Sequence, residues 1–380
     1  MIMAFEEFAS LIAQICSRSP LAAGRPLVWT IITNPRAGGF TIRSRWKKHY
    51  AQLAECAQRA EKNAPREGGP SHTAREGGHA GAPGLMLTKA AGHAGEITDA
   101  LLKEAETEGG SQAGHARPFY LIITAGGDGT SRDVMTSLYR APAALRDNFA
   151  ILRLPMGTGN DGSDTWELDK AMELLIEPSV LARQRVLQLK TASGKGPFLA
   201  FNILSVGLDA FVTHMTNKTK GTLPGDSYKI WVDLAALFYD LIYKVGHMDV
   251  RATDSEGNEV KAFREKVLLL AVGESGRRTY GSHKWILPDD RNVCAMRQMP
   301  LLRKLALKGH FAYGTHIDKP EAMLWNARAV QFSAEHPLLA QMDGETVLLE
   351  KGDFPASIEL TEPVIPILKN EPEKAVAKIQ

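Results

Sequence analysis

Three observations predict an α/β fold in two parts, a parallel α/β domain followed by an antiparallel β-sandwich. The first half alternates apolar, strand-like runs with helical stretches, the order of βαβ units around a parallel sheet. From about Val186 the texture changes to short alternating runs separated by turn residues. The chain has 380 residues, enough for two domains at about 100–200 residues each and for proper cores without staples.

The elements follow in order. Residues 1–18 read as a short amphipathic helix with Phe5, Phe8, Leu11, Ile12 and Ile15 on one face, docked on the domain. Leu27–Thr33 is apolar and β-branched, as a strand buried on both faces must be. A helix is expected from about Ile42 to Glu61. A second strand, Leu85–Thr88, leads to a helix through Ile97, Leu101 and Leu102. A third, Phe119–Thr124, leads to a helix with Val134, Leu138 and Leu145, and a fourth is Ala150–Leu154. Between them, residues 63–84 are rich in Gly, His, Pro and Ala and carry Arg-Glu-Gly-Gly twice. With little apolar surface to offset ordering entropy, this stretch is expected to be a disordered, removable surface insertion.

In the second half, strands are expected at Phe198–Ile203, Met248–Thr253, Val260–Phe263 and Val267–Val272, with Asp254–Asn258 as a hairpin turn. Later strands are Ala329–Phe332, Val347–Leu349 and Ala356–Leu360. One inserted helix, Tyr228–Val245, puts Trp231, Leu234, Phe238, Leu241 and Val245 on one face. That face reads either as core packing or as the apolar wall of a cleft.

Composition narrows the partners. Lys+Arg is 45 against Asp+Glu 43, a net charge of +2. This excludes a nucleic-acid binder driven by whole-protein charge. Three distant cysteines, Cys16, Cys56 and Cys294, argue against a disulfide framework and for a reducing compartment. No apolar stretch is long enough to span a membrane. Glu6 and Glu7 stand where a secretory leader would be apolar.

The chemistry concentrates in three loops. Asn34-Pro35-Arg36-Ala37-Gly38-Gly39 follows the first strand, Gly126-Gly127-Asp128-Gly129-Thr130 the third, and Pro155-Met156-Gly157-Thr158-Gly159-Asn160-Asp161 the fourth. All lie at the carboxyl ends of parallel strands, where open α/β sheets bind ligands. Their glycines let backbone N–H groups approach phosphate oxygens, and a following helix N-terminus favours an anion. Thr130 and Thr158 add hydroxyls. Asp128 and Asp161 suit Mg²⁺ or a reacting hydroxyl. No GxxxxGK[ST] pattern occurs, so a P-loop is not indicated, and a GxGxxG match, Gly157–Gly162, follows the fourth strand rather than the first, where a standard dinucleotide fold carries it.

With these motifs, the sequence resembles the diacylglycerol kinase catalytic-domain family of lipid kinases, related to sphingosine and ceramide kinases and more distantly to NAD kinases. The resemblance runs from about Leu27 to Leu368. It is carried by Asn34–Gly38, Thr88 with Gly92-His93-Ala94, Gly126–Thr130 and Pro155–Asp161. It continues in Phe201-Asn202 with Gly207, Asp209 and Ala210, in Pro288-Asp289, and in Asp343-Gly344-Glu345. The implied fold is a Rossmann-like nucleotide domain and a β-sandwich lipid domain with the active site in the cleft between them. The expected domains are 1–161, with 361–380 returning to it, and 162–360.

The implied activity is ATP- and Mg²⁺-dependent phosphorylation of a hydroxyl of diacylglycerol or a similar lipid. By resemblance, ATP would be held by Asn34, Pro35, Arg36, Ala37, Gly38, Thr88, Gly126, Gly127, Asp128, Gly129, Thr130, Arg132, Asp133, Gly157, Thr158, Gly159 and Asn160. Glu345 aligns with the general base, and Asp128 is the alternative base. Asp128 and Asp161 are the metal candidates. The implied setting is cytoplasmic with peripheral membrane contact to a lipid substrate and no nucleic acid, and a homodimer stays open. An NAD-kinase-like enzyme and a non-catalytic nucleotide- or lipid-binding regulator are the alternatives.

The match departs from the family pattern at Ser131-Arg132-Asp133, where an apolar residue, Asn and Glu are usual. Gln188 stands in place of an Asp, Glu274 in place of an Asn, and Asn292-Val293-Cys294-Ala295 in place of an acidic run that holds a structural Mg²⁺ in some members. Arg43, Arg45, Lys47 and Lys48 read as a solvated helix face. Arg277, Arg278 and Lys284, or Arg303, Lys304 and Lys308, are the basic sets placed to meet anionic head groups.

Overall fold

The apolar runs of the first half form one sheet. The computed structural model describes residues 2–21, 25–63, 72–75, 82–111, 117–157, 159–219, 239–281 and 283–370. They divide into two units, Met1–Gln184 with Val364–Gln380, and Arg185–Pro363. The first unit carries α1 (Ile2–Cys16), β1 (Leu27–Thr33), α2 (Gly38–Thr41), α3 (Arg43–Asn63), β2 (Thr73–Ala74) and β3 (Leu85–Leu87). There follow α4 (His93–Ser111), β4 (Phe119–Gly126), α5 (Asp128–Arg140), α6 (Ala143–Arg146), β5 (Phe149–Pro155), α7 (Leu168–Ile176) and β6 (Ser179–Gln184).

β1, β4 and β5 pair in parallel, Leu27 with Phe119 through Thr33 with Ala125, and Tyr120 with Phe149 through Gly126 with Pro155. All seven residues of β5 are buried, which explains its unbroken apolar run. This register brings the ends of the three strands to one level, so their loops start side by side. α1 buries Phe5, Phe8, Ile12 and Ile15, the spacing of one helix face. Its Phe5 and Phe8 rings lie 4.9 and 5.1 Å from Phe40, which lies 5.7 Å from Trp46. This aromatic cluster braces α2, the turn after the first glycine loop.

Three expectations need correction. The first unit extends to Gln184 rather than residue 161. α7 buries Leu168, Met172 and Leu175 in the same core as Phe8 of α1 and Leu152 of β5. The strand Ile365–Asn370 lies between β5 and β6, parallel to β5 and antiparallel to β6. Second, the insertion is not structureless throughout. β2 pairs in parallel with the first part of β1, Val28 with Thr73 and Trp29 with Ala74, while β3 pairs with the second part. His72 Nδ1 accepts the Leu27 N–H at 3.3 Å and Ala82 is buried, so parts of the stretch pack on the first unit. Residues 64–71 and 76–81 lie outside the described residues. Third, the helix from Asp128 stops at Arg140, and Leu145 belongs to the separate turn α6 after Pro142, because proline cannot continue the helix.

The second unit is antiparallel. It carries β7 (Leu187–Lys190), β8 (Phe198–Ala200), β9 (Ile203–Gly207), α8 (Leu208–Thr219), β10 (His247–Thr253), β11 (Glu259–Gly273), β12 (Arg278–Tyr280), β13 (Lys284–Leu287) and β14 (Val293–Arg297). A helix Leu301–Tyr313 precedes β15 (Ala322–Trp325), β16 (Ala329–Ala334), β17 (Leu338–Met342), β18 (Glu345–Leu349) and β19 (Ala356–Leu360). The strand order is β18-β17-β9-β11-β10-β16-β19-β7-β8, with β14 joining β11 to β15. The two strands expected at 260–263 and 267–272 are one, β11. Along it Val267, Leu270 and Val272 enter one core cluster and Leu268, Leu269 and Ala271 another. Of the inserted helix expected at Tyr228–Val245, Tyr239–Ile242 is helical, the helix has ended by Tyr243 rather than Val245, and positions 228–238 lie outside the described residues. No described helix is long and apolar enough to cross a membrane, and Cys16, Cys56 and Cys294 are buried free thiols.

Candidate active site

The three glycine loops meet. Asn34 opens the first: its N–H donates to Ala125 O at 3.0 Å, its Oδ1 accepts the Arg36 N–H at 2.9 Å, and its carbonyl accepts the Ala37 N–H at 3.0 Å. The turn leaves Arg36 exposed and buries Ala37 and Gly38. Gly39 N–H then donates to Met156 O at 2.9 Å, joining the first loop to the third. In the middle loop Gly127 caps α5, and its carbonyl accepts the Thr130 N–H at 3.0 Å. A Cβ on Gly126 would sit 2.5 Å from Thr130 Oγ1, and one on Gly157 would sit 2.6 Å from Gly127 Cα. Only hydrogen fits at both places. α5 begins directly after this loop, and the positive end of its dipole attracts an anion.

Asn160 organises the third loop from a left-handed conformation, φ 59°, which asparagine tolerates. Its Oδ1 accepts the Gly157 N–H at 2.6 Å, and its Nδ2 donates to Pro155 O and Gly157 O at 3.2 Å. Asp128 Oδ1 accepts the Gly162 N–H at 3.0 Å. A Cβ on Gly159 would meet Asp128 Oδ2 at 3.3 Å and Asp161 Oδ2 at 3.4 Å, so both metal candidates converge on one glycine. Two carboxylates beside a phosphate loop fit Mg²⁺, which takes one or two protein carboxylates and completes its shell with phosphate and water. Among the described residues no group of three or more His, Cys, Asp or Glu offers a closed metal cage. Thr158 lies outside the described residues.

Two unforeseen groups hold this loop. Arg153 of β5 is 4% exposed. Its Nε and Nη2 donate to Asp164 Oδ1 at 3.1 and 2.6 Å, its backbone N–H donates to Asp164 Oδ2 at 2.6 Å, and Nη2 also reaches Gln184 Oε1 at 3.0 Å. The far end of the loop is thereby pinned to the strand that begins it. Arg45, expected on a solvated face, extends Nη1 to Gly157 O at 3.5 Å. A lone arginine in the apolar run Ala150–Leu154 was the available signal for a buried partner, since a buried guanidinium must be paired.

The Thr88 turn also joins the site. Thr88 N–H donates to Thr33 O at 2.9 Å. Asp133 Oδ2 accepts the Gly92 N–H at 3.0 Å, and Arg132 Nη2 lies 3.5 Å from Asp133 Oδ1. Asp133 therefore fastens α5 to the start of α4. Ser131, where an apolar residue is usual in the family, shares a 2.8 Å hydrogen bond with Thr124 Oγ1.

In the second unit, Asp343-Gly344 turns the β17–β18 hairpin with positive φ at both residues, and Glu345 opens β18 as an exposed residue. Asp343 is the buried member, 9% exposed. Its carboxylate accepts the N–H groups of Phe201, Asn202 and Ile203, the last two at 3.1 and 3.0 Å. It thus fixes the break between β8 and β9. Behind the hairpin Gln341 Nε2 donates to Ser205 Oγ at 2.8 Å, Ser205 donates to Asp209 Oδ2 at 2.6 Å, and His214 Nδ1 lies 3.2 Å from Thr346 Oγ1. Desolvation, aided by Lys218, holds His214 below the usual imidazole range. Asp343→Asn keeps one acceptor but turns an amide toward backbone donors, so it is expected to cost about 1–3 kcal/mol in a urea melt. An unchanged midpoint would show that the turn alone positions the hairpin.

The departures from the family pattern have partners of their own. Glu274 Oε1 accepts the Arg185 N–H at 3.1 Å and its other oxygen pairs with Arg278. Asn292 exchanges two 2.9 Å hydrogen bonds with the Ala327 backbone, and Val293-Cys294 lie inside β14. In the Pro288-Asp289 turn, the Arg291 guanidinium holds the Asp289 carboxyl below the usual carboxylate range. The basic sets are largely committed. Arg277 pairs with Asp290, Arg278 with Glu274, Arg303 with Glu321 and Lys304 with Asp240.

Comparison with known proteins bears on this arrangement. Residues 28–192 match the family model described as "Diacylglycerol kinase catalytic domain". A Yersinia pestis (strain Pestoides F) protein named "Probable lipid kinase YegS-like" is 33% identical over 182 residues, covering 48% of this chain and 56% of that protein. Its Enterobacter sp. (strain 638) namesake is 25% identical over 169 residues, covering 44% and 51%. The chain thus spans about half the length of the curated relatives it matches. A crystal structure of a Bacillus anthracis (strain Sterne) protein, provisionally assigned as a diacylglycerol kinase, superposes with a TM-score of 0.55 at 17% identity. That match covers 91% of this chain and 98% of the other, and it shows a shared fold.

Proposed function

Because residues 28–192 belong to the diacylglycerol kinase catalytic-domain family of lipid kinases, we propose that this protein transfers the γ-phosphoryl group of ATP to a hydroxyl of diacylglycerol or a similar lipid. The observation that carries the proposal is the contact of three glycine loops at one level of the parallel sheet, with Gly39 bonded to Met156 and Gly157 packed on Gly127. A Cβ would clash at these contacts, so the loops present backbone rather than side chains there. In this reading the N-terminus of α5 and the loop glycines hold the phosphates, and Arg45 and Arg132 supply positive charge. Asp128 and Asp161 hold Mg²⁺, which would neutralise charge developing on the transferring phosphoryl group. Asp128 also orients the third loop through Gly162. Glu345, by its place in Asp343-Gly344-Glu345, is the base that accepts the lipid hydroxyl proton.

The test is transfer of radiolabelled phosphate from ATP with Mg²⁺ to diacylglycerol, ceramide and sphingosine, with NAD as a control acceptor. A labelled lipid that disappears on chelation is expected. Label in NAD alone would replace the lipid reading, and ATP binding without any transfer would make the protein a regulator.

A further inference from the structure

The β17–β18 hairpin is gripped on both sides of its glycine. Asp343 and Gly344 turn it with φ of 46° and 99°, and Met342 pairs with Glu345 across the turn. Such a two-residue turn matches the twist of its strands, but a glycine leaves its flanking peptides free to rotate. Here both are tied. The Gly344 N–H donates to Gln341 Oε1 at 3.2 Å. The Gly344 carbonyl accepts from Asn217 Nδ2 at 2.8 Å, a bond between residues 127 apart in sequence. Each holder is itself placed. Gln341 is fully buried and stands opposite Ser205 in the sheet. Its Nε2 donates to Ser205 Oγ at 2.8 Å and to Asp209 Oδ2 at 3.3 Å. Asp209 and Asn217 both lie on α8, at an i, i+8 spacing that keeps them on one helix face. From the same helix His214 Nδ1 lies 3.2 Å from Oγ1 of Thr346, the residue after Glu345. α8 therefore meets the hairpin just before and just after Glu345.

We propose that Asn217 and Gln341 are positioning residues for phosphoryl transfer, which aim Glu345 at the acceptor hydroxyl by fixing the two peptides of Gly344. The assignment rests on the reading of Glu345 as the base. The peptide that Asn217 holds leads directly into the Glu345 N–Cα bond, so its tilt decides where that side chain reaches. A proton acceptor works within about 2.6–3.2 Å of the hydroxyl, and a misplacement of about 1 Å can cost about 100-fold in rate. Asn217 is exposed, so water can replace its hydrogen bond with little loss of stability. What water cannot supply is a fixed direction. Neither Asn217 nor Gln341 belongs to the motifs that carry the family resemblance; their role comes from the fold, which lays α8 along the hairpin.

The experiment measures kcat and KM for lipid and ATP in the full chain carrying Asn217→Leu, which keeps the size and removes the donor, or Gln341→Met, which keeps the length and removes the acceptor. kcat is expected to fall about tenfold to a hundredfold, with both KM values within about twofold, the mark of an interaction made only in the transition state. Asn217→Leu should keep its melting temperature, because the position is exposed. Each change is then combined with Glu345→Gln. Residues that act through Glu345 lose their effect once it is gone, so each double variant should be no slower than Glu345→Gln alone. Unchanged kcat in Asn217→Leu, or losses that multiply in the double variants, overturns the proposal. Hydrogen exchange over residues 338–349, read by mass spectrometry, follows the grip without catalysis. Exchange there should quicken in Gln341→Met more than in the other strands of the second unit, and unchanged exchange also overturns the proposal. Full turnover by Glu345→Gln would reject the base and the assignment with it. Quickened exchange in a protein that phosphorylates no lipid would retain the grip on Gly344 and reject the kinase reading instead.

Discussion

Asp164→Ala is expected to cost about 3–5 kcal/mol of folding stability, because it removes the carboxylate paired with the buried Arg153 guanidinium. Both side chains of the pair are 5% exposed. The aspartate answers three N–H groups, two from the guanidinium and one from the Arg153 backbone. After truncation the partners of Arg153 include Gln184 Oε1 at 3.0 Å and Met135 Sδ at 3.7 Å, both uncharged and weaker for a buried guanidinium than a carboxylate. The midpoint of urea unfolding, analysed for the first unit, is the measurement. Asp164→Asn should lose less, since an amide oxygen still accepts, and adding Arg153→Met to Asp164→Ala should recover part of the loss by removing a buried charge that has lost its carboxylate. A shift of Asp164→Ala below about 1 kcal/mol, the range of exposed pairs, would mean that water reaches the pair. Nucleotide binding should weaken along with stability, because the same pair pins the loop that carries Gly157 and Asn160.

Asp128→Asn should leave the fold nearly untouched and lower lipid phosphorylation by about 10²–10⁴-fold, the usual range for a positioned proton-transfer or charge-holding group. The amide oxygen can still accept the Gly162 N–H that Asp128 Oδ1 accepts at 3.0 Å. Losing the carboxylate's charge at the N-terminus of α5 is expected to cost about 0.3–1 kcal/mol. Raising Mg²⁺ should restore part of the activity if the carboxylate serves the metal, and none if it serves as the base. Glu345→Gln, measured in parallel, divides the two roles: a larger loss there assigns the proton to Glu345. Turnover retained in Asp128→Asn would remove Asp128 from the chemistry.

What was legible in the sequence was local. Leu27–Thr33, Phe119–Thr124 and Ala150–Leu154 announced themselves as buried strands by unbroken apolar runs, and the glycine loops by their place after those strands. Phe5, Phe8, Ile12 and Ile15 announced the docked face of α1 by spacing alone. Pairings between distant segments were not legible. Nothing in Ile365–Asn370 says that it enters the sheet between β5 and β6, because register belongs to the partner strands. Two-residue β2 is too short for any periodicity to mark it. Arg264, Glu265 and Lys266 looked like a break between strands, yet β11 runs through them because both faces there are largely open to solvent. In the site, Asp343 stood in a quoted motif beside Glu345, and its burial, which makes it an anchor, appears only when three backbone N–H groups converge on it.

The place of Ile365–Asn370 in the first sheet has a consequence for how the protein is made. Among the described residues β6 joins that sheet by pairing with this strand, and some 180 residues, Arg185–Pro363, separate the two in the chain. At a synthesis rate of about 5–20 residues per second, β6 waits on the ribosome for roughly 10–40 s before its partner exists. For that interval the outer edge of β5 and both edges of β6 are exposed strands, the usual starting points for mispairing. The second unit, whose segment is continuous, can close its own ladders in the meantime. Completion of the first sheet thereby waits until Ile365–Asn370 has been made, and chaperones that shield strand edges have their work in that window.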